Sequence, residues 1–349
     1  MDTPMPARHL PTDGLTRRHW LRAGAGLALG AAGLAAVPEA RLFAQQVRDF
    51  VLGPPMPDIP AQQLSPHVWM VFAEDGFPTP QNQGMMANVV FVVTQKGVVV
   101  LDSGGSLQIG QMAIRMIRRV TDRPVVAVFN SHYHGDHWLG NHAFAEAFPG
   151  VPIHALPHTR EQILGAEGNA WRGMMERWTN QATLGTKIVA PNTDVRPGQV
   201  FDYGDVQLRL HHHGVAHTPS DLCMEVVQDR LTYVGDIAMG NRIANIDDGS
   251  YVGTFKTYDT LMKDLGEQLW VPGHGHASRD LLQTYGDFLR GIYEPCLKAV
   301  KEGLPLDKAK GLVLADPRVA SRAARMQGFD SNIGKYTSLA YLEAEKEAF

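Results

Sequence analysis

Histidine and aspartate residues gather in ordered clusters along the chain, and this pattern constrains the fold more than any other feature. The first cluster runs from His132 to His137 and places three imidazoles and one carboxylate within six residues, directly after the apolar run 125–129. Three further residues of this kind follow at wide intervals: His217, Asp236 and His274. Imidazole and carboxylate groups suit divalent zinc, iron or manganese without a thiolate. Seven candidate ligands are too many for one tetrahedral ion, so the sequence predicts a binuclear metal site.

The spacing within the first cluster has a geometric reason. If the chain leaves a buried strand in extended conformation, His132 and His134 point to the same side, because side chains alternate along extended backbone. Gly135 permits a sharp turn, and Asp136 then stands where it could cap a following helix. The segment would offer two imidazoles to one ion and turn Asp136 and His137 toward a second. The alternative, a solvent-exposed histidine-rich loop, is disfavoured by the three downstream partners.

The downstream candidates also follow predicted strands. The run 206–213 alternates apolar and polar residues and precedes His217, 231–234 precedes Asp236, and 269–271 precedes His274. Further strands are predicted at 68–72, 88–93 and 97–101, with a helix at 109–120. A scaffold that places every ligand at a strand end fixes the geometry of a site tightly.

These motifs together resemble the metallo-β-lactamase-fold hydrolases over roughly residues 60–290. The match comprises the motif from His132 to His137, then Gly214 to Pro219, Val234 to Asp236 and Pro272 to Gly275, with Asp102 as the early strand-end aspartate. The resemblance implies an α/β fold, a four-layer αβ/βα sandwich with two metal ions at one edge. It further implies that His132, His134 and His217 hold one ion. Asp136, His137 and His274 would hold the other, and Asp236 would bridge the two. Asp102 is expected to order the metal-bearing loops.

The bridging position distinguishes branches of this family. Zinc β-lactamases of the commonest type carry a cysteine where Asp236 stands, whereas the arrangement here resembles the glyoxalase II and lactonase branches. The nearest thiol, Cys223, lies in an apolar stretch and is expected to be structural. Cys223 and Cys296 are the two cysteines of the chain, and two free thiols are expected. These features count against an efficient β-lactamase.

The N-terminus predicts export. Arg17 and Arg18 precede a run of Ala, Gly and Leu from 23 to 37, which resembles a bacterial twin-arginine signal peptide. The run is too short and too weakly apolar to remain as a membrane anchor. Cleavage after Ala44 is expected, so the mature protein would be exported by the twin-arginine machinery and would be periplasmic.

Composition and charge complete the expected organisation. Residues 1–44 are predicted as the signal peptide, 45–62 as a Pro-rich linker, 63–290 as the metallo-β-lactamase-fold domain and 291–349 as a C-terminal helical extension. Five arginines against three acidic residues give 1–44 a net charge of +2, so the whole-chain charge of −4 becomes −6 for the remainder. No Lys/Arg-rich tract follows the signal, which argues against a nucleic-acid partner.

Substrate recognition is expected from loops and helices around the metals. The segment 159–181 is predicted to be helical, opened by a capping box at Thr159 and Gln162. Its apolar stripe would either pack on the domain body or form the wall of a substrate pocket. The candidate wall residues are Trp171, Met175 and Trp178 of this stripe, together with Trp138, which directly follows the first cluster. Asp221 is a candidate either to hold a ligand imidazole from behind or to stabilise its own turn.

The expected activity is hydrolysis of a small ester, thioester or lactone by a binuclear zinc enzyme, with iron or manganese as possible replacements. A hydroxide shared by two ions would attack the substrate, with Asp136 orienting it or accepting its proton. Three alternatives stay open: a persulfide-dioxygenase-like enzyme with one iron on His132, His217 and Asp236, a metallo-β-lactamase, and a non-catalytic metal or redox accessory protein of a periplasmic quinoprotein or sulfur-oxidation system. The oligomeric state is left open.

Overall fold

Two β-sheets arise from the short apolar runs of the sequence. The computed structural model describes residues 51–74, 76–243 and 246–348, so the predicted signal peptide and the start of the predicted linker lie outside the described residues. The first sheet has seven strands in chain order: β1 (Ala61–Gln63), β2 (Val68–Val71), β3 (Val89–Thr94), β4 (Gly97–Leu101), β5 (Val125–Phe129), β6 (Ile153–Ala155) and β7 (Thr193–Asp194). The second has five, in the order β12-β11-β10-β9-β8: β8 (Val200–Asp202), β9 (Gln207–His211), β10 (Cys223–Val226), β11 (Leu231–Gly235) and β12 (Leu269–Pro272).

Helices cover the outer faces of both sheets. In chain order they are α1 (Leu107–Val120), α2 (Gly135–Trp138), α3 (Asn141–Ala147), α4 (Pro157–Leu164), α5 (Ala166–Trp178), α6 (Tyr251–Leu265), α7 (Leu281–Lys301), α8 (Leu306–Ala315), α9 (Pro317–Ala320) and α10 (Phe329–Ala348). Within the described ranges, no helix is both long and apolar enough to cross a membrane.

The core is layered because side chains alternate along the strands. In β3, Val90 and Val92 belong to the apolar core between the two sheets, whereas Val89 and Phe91 belong to the core beneath α1. A third core lies on the outer side of the second sheet and includes residues of α6, α7, α8 and α10. Helices, sheet, sheet and helices thus form the four layers, and the predicted αβ/βα sandwich with C-terminal helices is confirmed.

Strand direction brings the chemically important loops to one edge. β4 and β5 run parallel in the first sheet, and β11 and β12 run parallel in the second. Asp102 follows the end of β4, and the cluster beginning at His132 follows β5. Asp236 follows β11, and His274 follows β12. Because the carboxyl ends of parallel strands meet at the same edge of a sheet, these residues come together.

The C-terminal helices continue the same compact unit, which the described residues form from Leu52 onward. The predicted boundary between 290 and 291 falls inside α7, a continuous helix, and α10 packs along this helix. The Glu343 carboxylate of α10 accepts hydrogen bonds from Ser250 Oγ at 2.6 Å and from the Tyr251 backbone N–H at 2.7 Å. The extension is therefore attached to the first turn of α6.

The segment 159–181 differs from its prediction. It forms two helices, α4 and α5, which meet at Gly165. The predicted capping box is wrong, because α4 begins at Pro157 and Thr159 lies inside it, where its hydroxyl contacts Ser220. The two cysteines are free and buried, as expected.

Candidate metal centre

The first cluster leaves β5 in extended conformation and then turns into the short helix α2. His134 occupies the N-cap position with φ −70° and ψ 135°, and no side chain caps this helix. The prediction that Asp136 caps the helix is therefore wrong. Asp136 lies in the first turn instead, where its carboxylate interacts favourably with the positive end of the backbone dipoles. Asp136 and His137 therefore lie on this helix, whereas His132 and His134 belong to the extended segment before it.

All seven predicted ligands converge. Their donor atoms form two groups in which the atoms lie within 4.8 Å of one another: His132, His134, His217 and Asp236; Asp136, His137 and His274. All seven residues are buried. The division matches the two ligand sets that the family resemblance implied.

Asp236 lies between the two groups. Its Oδ2 is 3.7 Å from Nε2 of His217 and 4.0 Å from Nε2 of His132, both in the first group. The same oxygen is 3.2 Å from Nε2 of His274, and Oδ1 is 3.3 Å from Nε2 of His137, both in the second group. One carboxylate therefore faces both ligand sets, as a bridging ligand must.

A hydrogen-bond network behind the ligands fixes two of the rings. Asp102 is completely buried, and its Oδ2 lies 2.7 Å from Nδ1 of His137. The same carboxylate accepts hydrogen bonds from Ser131 Oγ and Tyr233 Oη, each at 2.6 Å. Ser131 Oγ in turn lies 2.9 Å from Nδ1 of His132. Because both Nδ1 atoms face acceptors, Nε2 of each ring is directed at the centre with its lone pair available.

Asp221 does not contact an imidazole in this way. Its carboxylate accepts hydrogen bonds from the Thr218 backbone N–H at 2.8 Å and from the Thr218 hydroxyl at 2.7 Å. Burial raises the pKa of Asp221 to about 7, although these hydrogen bonds oppose the rise. Of the two predicted roles, the structure supports the stabilisation of the turn that carries His217.

The pKa values of three of the predicted ligands suit the binding of cations. Burial and the neighbouring imidazoles lower the pKa of His132 well below its ordinary value, and burial with His134 lowers that of His217 to about 3. Burial alone would raise the pKa of Asp236, but attraction to His274 and His137 holds it well below the usual range. His132 and His217 are therefore neutral donors at neutral pH, while Asp236 is ionised. Neutral imidazole and ionised carboxylate are the forms that bind a metal.

Several polar atoms of the centre form no hydrogen bond with the described residues. Nε2 of His132, Nε2 of His137 and Oδ1 of Asp236 are buried without a hydrogen bond. Leaving a buried polar atom unsatisfied costs on the order of 1–3 kcal/mol. Divalent cations at the two ligand groups would satisfy all three, so the residues present fit the implied metal ions.

Two of the four predicted pocket-wall residues are accessible at the surface. Trp171 packs against His134, with ring centroids 5.1 Å apart, and Trp178 is 46% exposed beside it. Trp138 and Met175 are both 0% exposed, so the prediction that these two line an open pocket is wrong. Trp138 instead donates its indole N–H to the Tyr133 carbonyl at 2.8 Å within the core.

Sequence reasoning missed several residues that contact the centre. Ser131 and Tyr233 bind Asp102, and Arg242 Nη1 lies 2.6 Å from Nδ1 of His274. Ser131 and Tyr233 lie next to recognised motifs and could have been examined for that reason. No pattern in the sequence points to Arg242, because its contact depends on the path of the loop after β11.

Comparisons with known proteins agree with this architecture. The profile described as "Metallo-beta-lactamase superfamily" matches residues 83–286, more than half of the chain. An atrochrysone carboxyl ACP thioesterase from Aspergillus chevalieri is 25% identical over 77% of this chain and 76% of its own length. A metallo-beta-lactamase type 2 from Bacillus cereus is 24% identical over 66% of this chain and 83% of its own.

A solved structure shares the fold over most of the chain. The stereoselective inverting sec-alkylsulfatase Pisa1 from Pseudomonas sp. aligns with a TM-score of 0.65 at 17% identity. The alignment covers 81% of this chain and 50% of that one. At this identity the likeness concerns the fold alone.

Proposed function

This chain belongs to the metallo-beta-lactamase superfamily and is a metal-dependent hydrolase, and we propose that it is a binuclear zinc enzyme that cleaves a small ester, thioester or lactone. The observation that carries the proposal is the position of Asp236 between two complete ligand sets. A single ion would leave one of the two sets without a cation. Two ions use every donor of both groups.

The residues of the chain divide the work as follows. His132, His134 and His217 would hold one ion, Asp136, His137 and His274 the other, with Asp236 shared. When bound, two divalent ions supply Lewis acidity toward the acceptor oxygen and lower the pKa of water enough for hydrolysis near pH 7. Asp136 faces the same space, with Oδ2 at 3.2 Å from His274 Nε2. We propose that Asp136 orients the attacking water or accepts its proton.

A carbonyl substrate is supported by two observations. One relative over three quarters of the chain is named a thioesterase, which acts on a carbonyl centre. The aromatic surface of Trp171 and Trp178 beside His134 would suit an apolar acyl group. Asp236 in place of a cysteine argues against an efficient β-lactamase, although relatives of that name match this chain.

A single-iron oxygenase is the second candidate function. It would use His132, His217 and Asp236, which form a two-histidine, one-carboxylate set within the first group. The complete second group argues against it, because a mononuclear enzyme has no use for Asp136, His137 and His274 together.

Metal analysis joined to a substrate panel tests these alternatives. Purified protein should contain two zinc ions per chain and hydrolyse members of an ester, thioester and lactone panel without consuming oxygen. His132→Ala should abolish turnover and lower the metal content, whereas the matched variant His158→Ala, outside both groups, should retain both. One iron with oxygen uptake would identify the oxygenase instead. Two zinc ions with no turnover of any substrate would favour an accessory protein, and saturable turnover of a cephalosporin at low enzyme concentration would favour a β-lactamase.

We also propose export to the periplasm by the twin-arginine route, based on Arg17, Arg18 and the apolar run that follows. The mature N-terminus would be Gln45. Replacing both arginines by lysine should leave the uncleaved protein in the cytoplasm, as fractionation and N-terminal sequencing would show. Equal periplasmic yield from this variant would contradict the proposal.

A further inference from the structure

A cavity of about 440 Å³ lies beside the metal centre, and among the predicted metal ligands only His274 lines it. Its walls come from the segment after β2, from the loop after β11 and from the chain between α9 and α10. The volume falls within the range of about 300–1,000 Å³ that is usual for small-molecule sites. The function proposed above makes no use of this cavity.

The C-terminal extension builds one wall and is fixed to the loop after β11 by backbone hydrogen bonds. The Gln327 N–H donates to the Asn241 carbonyl at 2.8 Å, and the Ile243 N–H donates to the Gln327 carbonyl at 3.0 Å. The two bonds join Gln327 to the residues on either side of Arg242. They fix the segment that carries Arg322 and Arg325 next to the cavity. The wall is therefore a defined part of the fold.

Arg242 is the most unusual residue of the lining. Only 5% of it is exposed, and its Nε has no hydrogen-bond partner in the described part of the chain. Its guanidinium lies over the Phe77 ring, 4.8 Å from the centroid, and no carboxylate of the described residues is within ion-pair distance. Asp136 and Asp236 attract it from beyond that distance, but a buried charge without a direct counter-ion is unfavourable.

Metal binding would leave Arg242 with even fewer acceptors. Nδ1 of His274 lies 2.6 Å from Arg242 Nη1 and also 2.6 Å from the Met86 carbonyl oxygen. If Nε2 of His274 binds a metal, Nδ1 carries the hydrogen and donates it to Met86. Nδ1 then cannot accept a hydrogen bond from Arg242. The guanidinium would need an acceptor from the cavity side.

The cavity lining carries excess positive charge. Arg322 and Arg325 join Arg242 in the lining, and neither forms an ion pair with the described residues. Glu74, which is exposed, is the one acidic residue among the described lining residues. The remaining surface includes apolar side chains: Phe72, Met239, Leu281, Tyr285 and Met326.

We propose that this cavity binds an organic anion, a carboxylate or phosphate monoester joined to a small apolar body, through Arg242, Arg322 and Arg325. Guanidinium groups bind both kinds of anion through paired N–H donors. The anion supplies the counter-ion that Arg242 lacks, and the apolar body contacts the remaining walls. Neutral molecules of the same size lack the charge and bind more weakly.

The anion has two possible sources, which share this chemistry. It is either the charged end of the substrate, in which case the inference rests on the proposed hydrolase function, or a separate anion that binds where Arg242 adjoins the predicted metal ligand His274. The test of binding does not depend on turnover, so the failure of the hydrolase proposal and the failure of this one are distinguishable.

Isothermal titration calorimetry of the metal-loaded protein tests the cavity, with hexanoate and hexyl phosphate as probes and hexanol as the neutral match. We expect at least one anion to bind about tenfold or more tightly than hexanol, since a charged hydrogen bond contributes enough for a factor of this size. The double variant R322Q/R325Q should weaken binding by about tenfold or more on the same grounds. The matched variant R196Q removes an exposed arginine near β8, at the far edge of the second sheet, and should bind as the wild type does.

Three outcomes overturn the proposal: no binding of either anion, equal binding of hexanol, or unchanged affinity in R322Q/R325Q, which would place the anion at the metals. Thermal unfolding of each variant checks that its fold is intact, and R242Q provides a second test of the same cavity.

Inhibition kinetics then separate the two sources of the anion. Competitive inhibition by the bound anion assigns the cavity to the substrate, and non-competitive inhibition assigns it to a separate anion.

Discussion

The Asp102 carboxylate lies 2.7 Å from Nδ1 of His137, on the side of the ring opposite the nitrogen that faces Asp136 and Asp236. Both side chains are 0% exposed. Asp102 adopts φ +58°, a left-handed conformation that few residues other than glycine, asparagine and aspartate adopt readily. The strained backbone thus serves to place a carboxylate behind a predicted metal ligand.

Asp102→Asn should lower metal affinity by about 10- to 100-fold, the usual effect of losing such a partner. Asparagine tolerates the backbone conformation but removes the negative charge that orients His137 and accepts from Ser131 and Tyr233. Competition with a chromogenic chelator would measure the affinity. Tyr233→Phe is the matched control, because it removes one hydrogen bond to Asp102 and leaves the contact with His137. Equal metal affinity in Asp102→Asn and wild type would contradict this role.

Gly273→Ala should disrupt the centre although it adds only one methyl group. A Cβ at this position would collide with the Asp236 carboxylate and the His137 ring, and both of these residues are buried. We expect a loss of about 1–3 kcal/mol in the free energy of unfolding, as for other overpacked sites, together with reduced metal content. Gly311→Ala is the control: it meets open space within α8 and should stabilise by at most about 1 kcal/mol. Full metal content in Gly273→Ala would contradict this prediction, because it would show that Asp236 and His137 can move to make room for the methyl group.

His154 should make the protein less stable in mild acid. Burial lowers its pKa to about 4, and the ring stacks on Phe129 with Nδ1 unpartnered. The unfolded chain, with the ordinary pKa near 6.5, therefore binds more protons than the folded protein between pH 6.5 and pH 4. Stability from this residue is complete above pH 6.5 and falls as the pH decreases through that window, by about 2 kcal/mol between pH 7.5 and pH 5. Urea unfolding of His154→Phe should show a shallower pH dependence; an identical slope would be inconsistent with this assignment.

Glu343 should hold the C-terminal helix to the sandwich. Its carboxylate accepts hydrogen bonds from Ser250 Oγ and from the backbone N–H groups of Tyr251 and Val252 at the start of α6. Glu343→Ala should lower the free energy of unfolding by about 1–3 kcal/mol, because these donors lose a charged acceptor. Glu347→Ala, at an exposed position of the same helix, is the matched control and should have little effect. Equal stability of both variants would argue against the attachment.

The sequence indicated that the seven candidate ligands converge because each follows a strand, and strand periodicity is a local property. His132, Asp236 and His274 needed only the apolar runs before them to be recognised. The sequence analysis failed where hydrogen bonding and packing decide the position of a side chain. Trp138 looks like a pocket residue in the sequence, yet its indole finds an acceptor at Tyr133 and the ring is wholly buried. The helix at 159–181 divides at Gly165, a break that the apolar stripe does not reveal.

From the amino-acid sequence, the order and type of the motifs identified the seven candidate ligands, and the resemblance of these motifs to a known family implied the fold class and the division of the ligands into two sets. Only the tertiary structure decided what lies behind and beside the ligands. Asp102 reaches His137 across 35 residues, and Arg242 reaches His274 across 32. Such contacts depend on how two sheets and the C-terminal helices pack, because packing sets the distance between side chains that the chain itself keeps far apart.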